Sequence, residues 1–340
     1  MTEKRFKNIV WTALGLVYLV IFAGAVVRMT GSGMGCPDWP KCFGYLIPPT
    51  QRAQLDWKPQ HEYKEGEVII VNESLRVAKQ DFTSSDAYNE TYWSPYTKHD
   101  YALFNPYHTW IEFINRLLGV LAGLATLAVF VGTLLRGRKQ PKLLILSTLV
   151  LLGMAFQAWL GKTVVDSNLM PAKITLHMGM ALILIALLIL ILQSVQTGQK
   201  RPVSIQTFRT LIGMALVLSL IQIGMGTQVR QFIDLQMHDF PQLPHRWLEN
   251  APAKFYIHRS FSLLVMGTHL GIWWMLWKNK IKFRAFGLVL SCIGLEIFSG
   301  ALMYYFDFPF STQPIHLLLA TLMFGGQFYL LTLPNPSTQI

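Results

Sequence analysis

Charge is scarce in this chain. Charged residues fill 14% of the 340 positions and hydrophobic ones 52%, a balance that excludes an ordinary soluble domain and makes lipid the expected solvent. Acidic residues are fewer than basic ones, 18 against 29, leaving a formal net charge of +11. Nothing in that excess points to nucleic acid: its clusters are accounted for by anionic lipid headgroups. A cleavable leader is also missing from the reading. The first apolar run is too long for an h-region and no small-residue cleavage pattern accompanies it, so it is expected to stay in the membrane. Cysteine is rare, with three residues. Cys36 and Cys42 stand close together in GCPDWPKCFG, where no nearby His or Cys completes four metal ligands; a disulfide and a free thiol pair stay open. Cys292 lies inside an apolar run and reads as a small buried residue.

What the sequence has is long apolar runs. Crossing about 30 Å of hydrocarbon takes about 20 mostly apolar residues in a helix, and eight windows qualify: Ile9–Val27, Tyr107–Leu135, Leu143–Val165, Ile174–Gln193, Phe208–Val229, Phe255–Trp277, Phe283–Tyr305 and Ile315–Leu333. Cations cluster on alternate connections: Lys4, Arg5 and Lys7; Arg136, Arg138, Lys139 and Lys142; Lys200, Arg201 and Arg209; Lys278, Lys280, Lys282 and Arg284. Lys and Arg near helix ends resist translocation, so this side is expected to be cytoplasmic, with both termini on it. The opposite side carries two long loops, 28–106 and 230–253. The first is too long to be structureless and is expected to fold over the outer mouth of the helices. Cys36 and Cys42 lie there, on the oxidising side, which favours a disulfide.

The chain repeats itself. WIEFINRLLG aligns with KFYIHRSFSL, FQAWLGKTVV with LEIFSGALMY, ITLHMGMALI with QPIHLLLATL, and GAVVRMT with GTQVRQF. These matches pair Asn115 with His258, Arg116 with Arg259, Gln157 with Glu296, His177 with His316 and Arg28 with Arg230. The fold expected is an all-α membrane protein of eight transmembrane helices, built as two pseudo-symmetric four-helix bundles in a tandem parallel repeat. The units are residues 1–199, with the long outer loop 28–106, and residues 200–340.

Ionisable groups inside a bilayer are costly and usually face the bundle interior. Two histidines on facing helices suit bis-imidazole haem ligation, since iron takes axial nitrogens on opposite faces of the porphyrin. His258 and His316 meet that condition in the second unit, and their matched places in a repeat favour ligation over a structural role. In the first unit His177 has Asn115 as its opposite number. His108, Glu112 and Asn115 share one helix face at i, i+4 and i+7. A carboxyl in that setting is poised to exchange protons, or alternatively pairs with Arg116. Arg28, Arg116, Arg230 and Arg259 all sit near outer helix ends. They snorkel to headgroups or bind haem propionates in bidentate fashion. His269, three turns beyond His258, reads as a core residue.

Together, VVRMTGSGMGCPDWPKCFG, the E-x-x-[H/N]-R pattern at Glu112–Arg116, the repeated histidine spans and GTQVRQ resemble the haem A synthase family. The resemblance implies oxidation of the C8 methyl of haem O to a formyl group by successive hydroxylations, giving haem A for cytochrome oxidase assembly. It also implies a haem b cofactor in the C-terminal unit, between His258 and His316. Substrate haem O belongs to the N-terminal unit, with His177 as ligand and Glu112 as the catalytic carboxylate. Cys36 and Cys42 match the family's pair in the first outer loop. The family's usual histidine three residues after the glutamate is Asn115 here. That change leaves the substrate iron five-coordinate on His177, or lets His108 supply a ligand from nearer the surface. A haem O synthase is the implied partner, the bacterial cytoplasmic membrane the implied location, and homo-oligomerisation stays open. The competing classes are a dihaem cytochrome b for quinol or electron transfer and a transporter built on parallel repeats.

Overall fold

The computed structural model describes residues 1–97, 104–136, 140–167, 169–195, 206–241, 243–281 and 284–333. Arg138, Lys139, Lys200, Arg201 and Lys282, used above for orientation, and Phe283 lie outside the described residues. Eight long helices are present: α1 Glu3–Met29, α2 Pro106–Leu135, α3 Pro141–Asp166, α4 Pro171–Val195, α5 Gln206–Asp239, α6 Ala253–Lys278, α7 Arg284–Tyr305 and α8 Thr312–Thr332. Their starts follow local chemistry. The Thr2 side chain accepts from the Arg5 amide, and Asn105 accepts from the amides of Tyr107 and His108. Proline opens α2, α3 and α4, where its missing N–H leaves no bond unmade.

Seven of these helices are long and apolar enough to cross a membrane, so the chain is an integral membrane protein. The exception is α6, whose length suffices but whose sequence, AKFYIHRSFSLLVMGTHLGIWWMLWK, carries His258, Arg259 and His269 among its apolar residues. One boundary differs in kind from the reading above. The span ending at Val229 continues as helix to Asp239, so the outer connection starts later than Arg230. Arg230 and Asp234 pair at i, i+4 across 2.7 Å, and Ile233 is buried; both support the extra turns.

In the first half α1 packs on α2 and α4, α2 on α3, and α3 on α4. In the second half α5 packs on α6 and α8, and α7 packs on α8, while α6 and α7 barely touch. The halves meet where α8 lies against α1 and α4. Apolar packing is concentrated in the inner halves of the helices. One core gathers Phe6, Val10 and Leu14 with Val129, Val150, Ile185 and Leu188, and reaches Phe324 of α8. A second joins Phe208, Ile212, Ile272, Phe286 and Met323. Every buried residue of α4 lies from Ala181 onward, and every one of α6 from Val265 onward. The outer halves of both helices, where His177 and His258 sit, are less tightly filled.

The segment between α1 and α2 is a folded cap, as expected from its length, and it carries β structure that the apolar pattern did not signal. It holds β1 Glu62–Tyr63, β2 Val68–Val71, β3 Ser74–Ala78, β4 Phe82–Thr83 and β5 Trp93–Pro95. β1 pairs with β4, and β3 lies between β2 and β5, all antiparallel. One side of the cap is an aromatic cluster in which the Tyr63 ring lies 5.5 Å from Phe82 and 5.0 Å from Trp93. The other buries the disulfide-bonded Cys36 and Cys42 with Phe43, Leu55, Val68, Ile70 and Leu75. Burial, with the Glu67 carboxylate accepting its hydroxyl at 2.6 Å, pushes the Tyr45 phenol up from its ordinary range.

Ile185 is fully buried in the first core. Ile185→Ala removes its contacts at a point where helices cannot collapse inward, and should cost about 2–5 kcal/mol, read as a lowered unfolding midpoint in detergent.

Candidate functional site

Three helix pairs share one device. On α3, Gly161 faces His177 of α4: a methyl built on the glycine would lie 3.4 Å from His177 Cε1. One turn earlier on the same face, Gln157 donates from Nε2 to the His177 carbonyl at 2.9 Å. On α5, Gly226 stands opposite His258, with the corresponding distance 3.2 Å, and Gln222 donates to the His258 carbonyl at 3.0 Å. On α7, Gly300 stands opposite His316 at 3.7 Å. Here the residue one turn earlier is Glu296, whose Oε2 lies 3.2 Å from His316 Nε2, while Ser299 Oγ lies 2.9 Å from Nδ1. The pattern is Gln/Glu-x-x-x-Gly, glycine giving the ring clearance and the polar residue gripping the histidine's turn. A fourth pair departs from it: Gly24 of α1 faces Asn115 Oδ1, 3.8 Å from a built methyl, and Val20 occupies the polar position.

These residues fit a haem. His316 has both ring nitrogens engaged, Nδ1 by Ser299 and Nε2 by Glu296, so to ligate iron it would give up the Glu296 contact. His177 Nδ1, His258 Nδ1 and Asn115 Oδ1 are buried without a hydrogen-bond partner among the described residues. Orphaned polar atoms in an apolar interior are uncommon and call for a partner. Neutral imidazole nitrogen is a donor that iron accepts. His269 serves elsewhere: fully buried, it is fixed between the Val265 carbonyl at 2.7 Å and Gln327 at 2.7 Å, and so belongs to the core.

Glu112 takes the second of the two arrangements open to it, pairing with Arg116. Its side chain is buried and closed in by the cap. Oε2 accepts from the Cys36 amide at 2.8 Å and Oε1 from Arg116 Nη2 at 2.5 Å. Arg116 in turn donates to the carbonyls of Asp38 at 2.7 Å, Lys41 at 3.0 Å and Cys36 at 3.2 Å. The Arg116 guanidinium is thus spent on Glu112 and on the disulfide loop, an assignment that replaces the propionate role considered for it. Gly35 permits the approach, since any Cβ there would meet the His108 main chain; Thr109 Oγ1 donates to the Gly35 carbonyl at 2.8 Å. His108 lies about 10 Å outward of Asn115 along α2, at about 1.5 Å per residue, and its main chain seats the loop.

The remaining arginines divide. Arg28 and Arg230, matched across the repeat, both pair with Asp234, and Arg230 also donates to the Arg28 carbonyl at 3.0 Å. That cluster bridges α1 and α5. Arg259 is exposed, with its guanidinium 5.9 Å from the Tyr256 ring and 5.2 Å from the Tyr304 ring, and among the described residues no ion pair is recorded for it. Gln222, Glu296, Ser299 and Asp234 were not singled out as site residues; the four-residue spacing to glycine was the available signal for the first two.

Fold and site together define a helical integral membrane protein with imidazole-bearing cradles in both halves and a disulfide-closed cap over the first. The chain belongs to the cytochrome oxidase assembly protein family, whose profile matches residues 7–84 and 80–327. Proteins named heme A synthase are similar to it. That of Shewanella oneidensis is 27% identical over 74% of this chain and 67% of its own. The Wolbachia pipientis wMel protein is 25% identical over 93% and 89%, and that of Shouchella clausii 23% identical over 97% of each.

Arg116→Ala would strand the buried Glu112 carboxylate and release three loop carbonyls. Breaking such a pair costs about 3–5 kcal/mol, so the variant should melt earlier, and Cys36 and Cys42 should be alkylated after milder reductant treatment than in the parent.

Proposed function

We propose that this protein is a haem A synthase, an oxidoreductase that takes haem O as substrate and converts its C8 methyl to a formyl group by successive hydroxylations and loss of water, giving haem A. The observation that carries the reading is the set of Gln/Glu-x-x-x-Gly cradles that place His177, His258 and His316 at repeat-related depths. Family membership along nearly the whole chain supports it. In this reading residues 200–340 hold haem b between His258 and His316, and residues 1–199 hold substrate haem O on His177. Bound haem iron supplies oxidising chemistry that no side chain of the protein offers.

The chain's own residues do the rest. The glycines set the planes of the rings, and Gln157 and Gln222 fix the turns that carry them. Glu112 is the proton-handling carboxylate of the substrate half, held between Arg116 and the Cys36 amide. The Cys36–Cys42 loop shuts the outer mouth, and Arg259 takes a propionate of the cofactor. The membrane is the bacterial cytoplasmic membrane with both termini inside, and a haem O synthase hands over the substrate. A dihaem cytochrome b would hold both haems unchanged; the family assignment favours the synthase.

Expression beside a source of haem O, followed by chromatography of extracted porphyrins, tests the reading: haem A should accumulate with the parent chain. Glu112→Gln, which keeps the shape of the loop contacts, should retain bound haem yet yield little haem A. His258→Ala and His316→Ala should each lose the stable haem b spectrum. A parent chain that binds two haems and returns only haem O would place it with the cytochromes.

A further inference from the structure

Helix pairs matched by the repeat are not equally tight. In the first half α2 packs on α3, and Gly123 admits Met154, whose Cγ lies 4.0 Å from a methyl built on the glycine. The repeat puts Met266 at the place of Gly123 and Ile293 at that of Met154. A glycine that lets its neighbour in is thus exchanged for a long side chain, and α6 and α7 stand apart. Between them runs a groove of about 260 Å³, lined by Met266, Leu270 and Trp273 of α6 and by Leu290, Ile293 and Gly294 of α7. Leu270 and Trp273 are exposed, and a methyl built on Gly294 would meet nothing within 4 Å. The groove therefore opens sideways, toward lipid.

One end of it is basic. Lys278 closes α6 with its ammonium 5.4 Å from the Trp274 ring, Lys280 stands exposed in the turn that follows, and Arg284 stands exposed at the start of α7. The sequence has no carboxylate between Glu249 and Glu296, and among the described residues no ion pair is recorded for these three cations. At about 1.5 Å per residue the groove lies about 8 to 18 Å beneath Lys278, close to the depth of about 15 Å that one leaflet's hydrocarbon occupies. The matching connection of the first half is basic too, but Arg136 lies over the Phe6 ring at 5.1 Å and the helices beside it are closed.

We propose that the α6–α7 groove and its basic end form a binding site for one anionic phospholipid, with the phosphate held by Lys278, Lys280 and Arg284 and one acyl chain seated between the helices. Basic pockets between membrane helices take anionic headgroups. Headgroup attraction alone would serve every basic connection of this chain; a seat for the tail distinguishes this one. The lining is apolar throughout, which suits hydrocarbon and gives a polar molecule nothing to bond.

Phosphatidylglycerol is the probe, with phosphatidylcholine of the same chains as the comparison without net charge. Full-length protein stripped of lipid in mild detergent and titrated with each, read by native mass spectrometry, should retain one phosphatidylglycerol per chain at concentrations where phosphatidylcholine is lost. Lys278→Gln, Lys280→Gln and Arg284→Gln should together weaken retention by about fivefold per cation and leave phosphatidylcholine unaffected. Gly294→Leu fills the groove and should displace the retained lipid although the cations remain. Met266→Gly with Ile293→Met, the pair found in the first half, should close the groove with the same result, and serves if Gly294→Leu does not fold. Equal retention of both lipids by the parent would overturn the proposal. Unchanged phosphatidylglycerol retention in the groove variants would also sink it, reducing the site to headgroup attraction. A dimer whose formation in detergent excludes the lipid would do so too, assigning this face to a second copy of the chain.

Discussion

An imidazole can lie between two packed helices only if the residue facing it gives way. Helix axes in contact stand about 8–10 Å apart, and a histidine ring pointing across that gap meets the neighbouring backbone unless a glycine is there. Gly161, Gly226 and Gly300 face the rings: a methyl at 226 would press on His258 Cε1 at 3.2 Å, while at 161 and 300 it would touch His177 and His316 at 3.4 and 3.7 Å. Gln157 and Gln222 tie the histidine's own turn to the neighbouring helix through its carbonyl, and Glu296 with Ser299 contacts the ring of His316 at both nitrogens. The cradle is local chemistry, but the repeat makes it architecture.

A second constraint acts at the outer surface. A carboxylate buried near lipid must be paired, since an isolated buried charge is prohibitively costly. Glu112 meets this with a guanidinium from its own helix and an amide from the loop after α1. The pairing ties the cap to α2, and the disulfide-closed turn gives Arg116 three carbonyls in a small arc. Glu112, cap and disulfide are therefore one mechanical unit, and displacement of any member loosens the other two.

Much of this was legible in the chain. Seven of the eight helices follow from apolar length, and the pairing of His177 with His316 and of Asn115 with His258 follows from the repeat. The extension of α5 was hidden because residues after Val229 are polar; its stability comes from the Arg230–Asp234 pair and buried Ile233, not from hydropathy. The weak apolarity of α6 has the same origin, since the residues that suit it to a ligand make it a poor apolar span. The strands of the cap are two to five residues long and belong to a segment held by an aromatic cluster, which leaves no lasting alternation to read. Of the two partners of Glu112, Arg116 was legible at i+4, whereas the Cys36 amide, 76 residues away, was hardest to foresee because a main-chain group leaves no mark on residue type.

The two halves are alike in design and unlike in charge. Arg28 and Arg230 occupy matched places, yet a single Asp234 on α5 serves both, and nothing equivalent stands after Arg28 on α1. The repeat therefore carries its counter-charge in one copy only, at the seam. Arg116 and Arg259 diverge in the same way: the first is neutralised by Glu112, while the second lies over tyrosine rings without a carboxylate. Arg28, Arg230 and Arg116 are thus all paired with a carboxylate, and of the four arginines Arg259 alone has no carboxylate partner recorded among the described residues. A duplicated scaffold that differs at these positions presents histidine cradles in both halves, with a carboxylate-paired arginine after the first α2 turns and an exposed one at the matching place on α6.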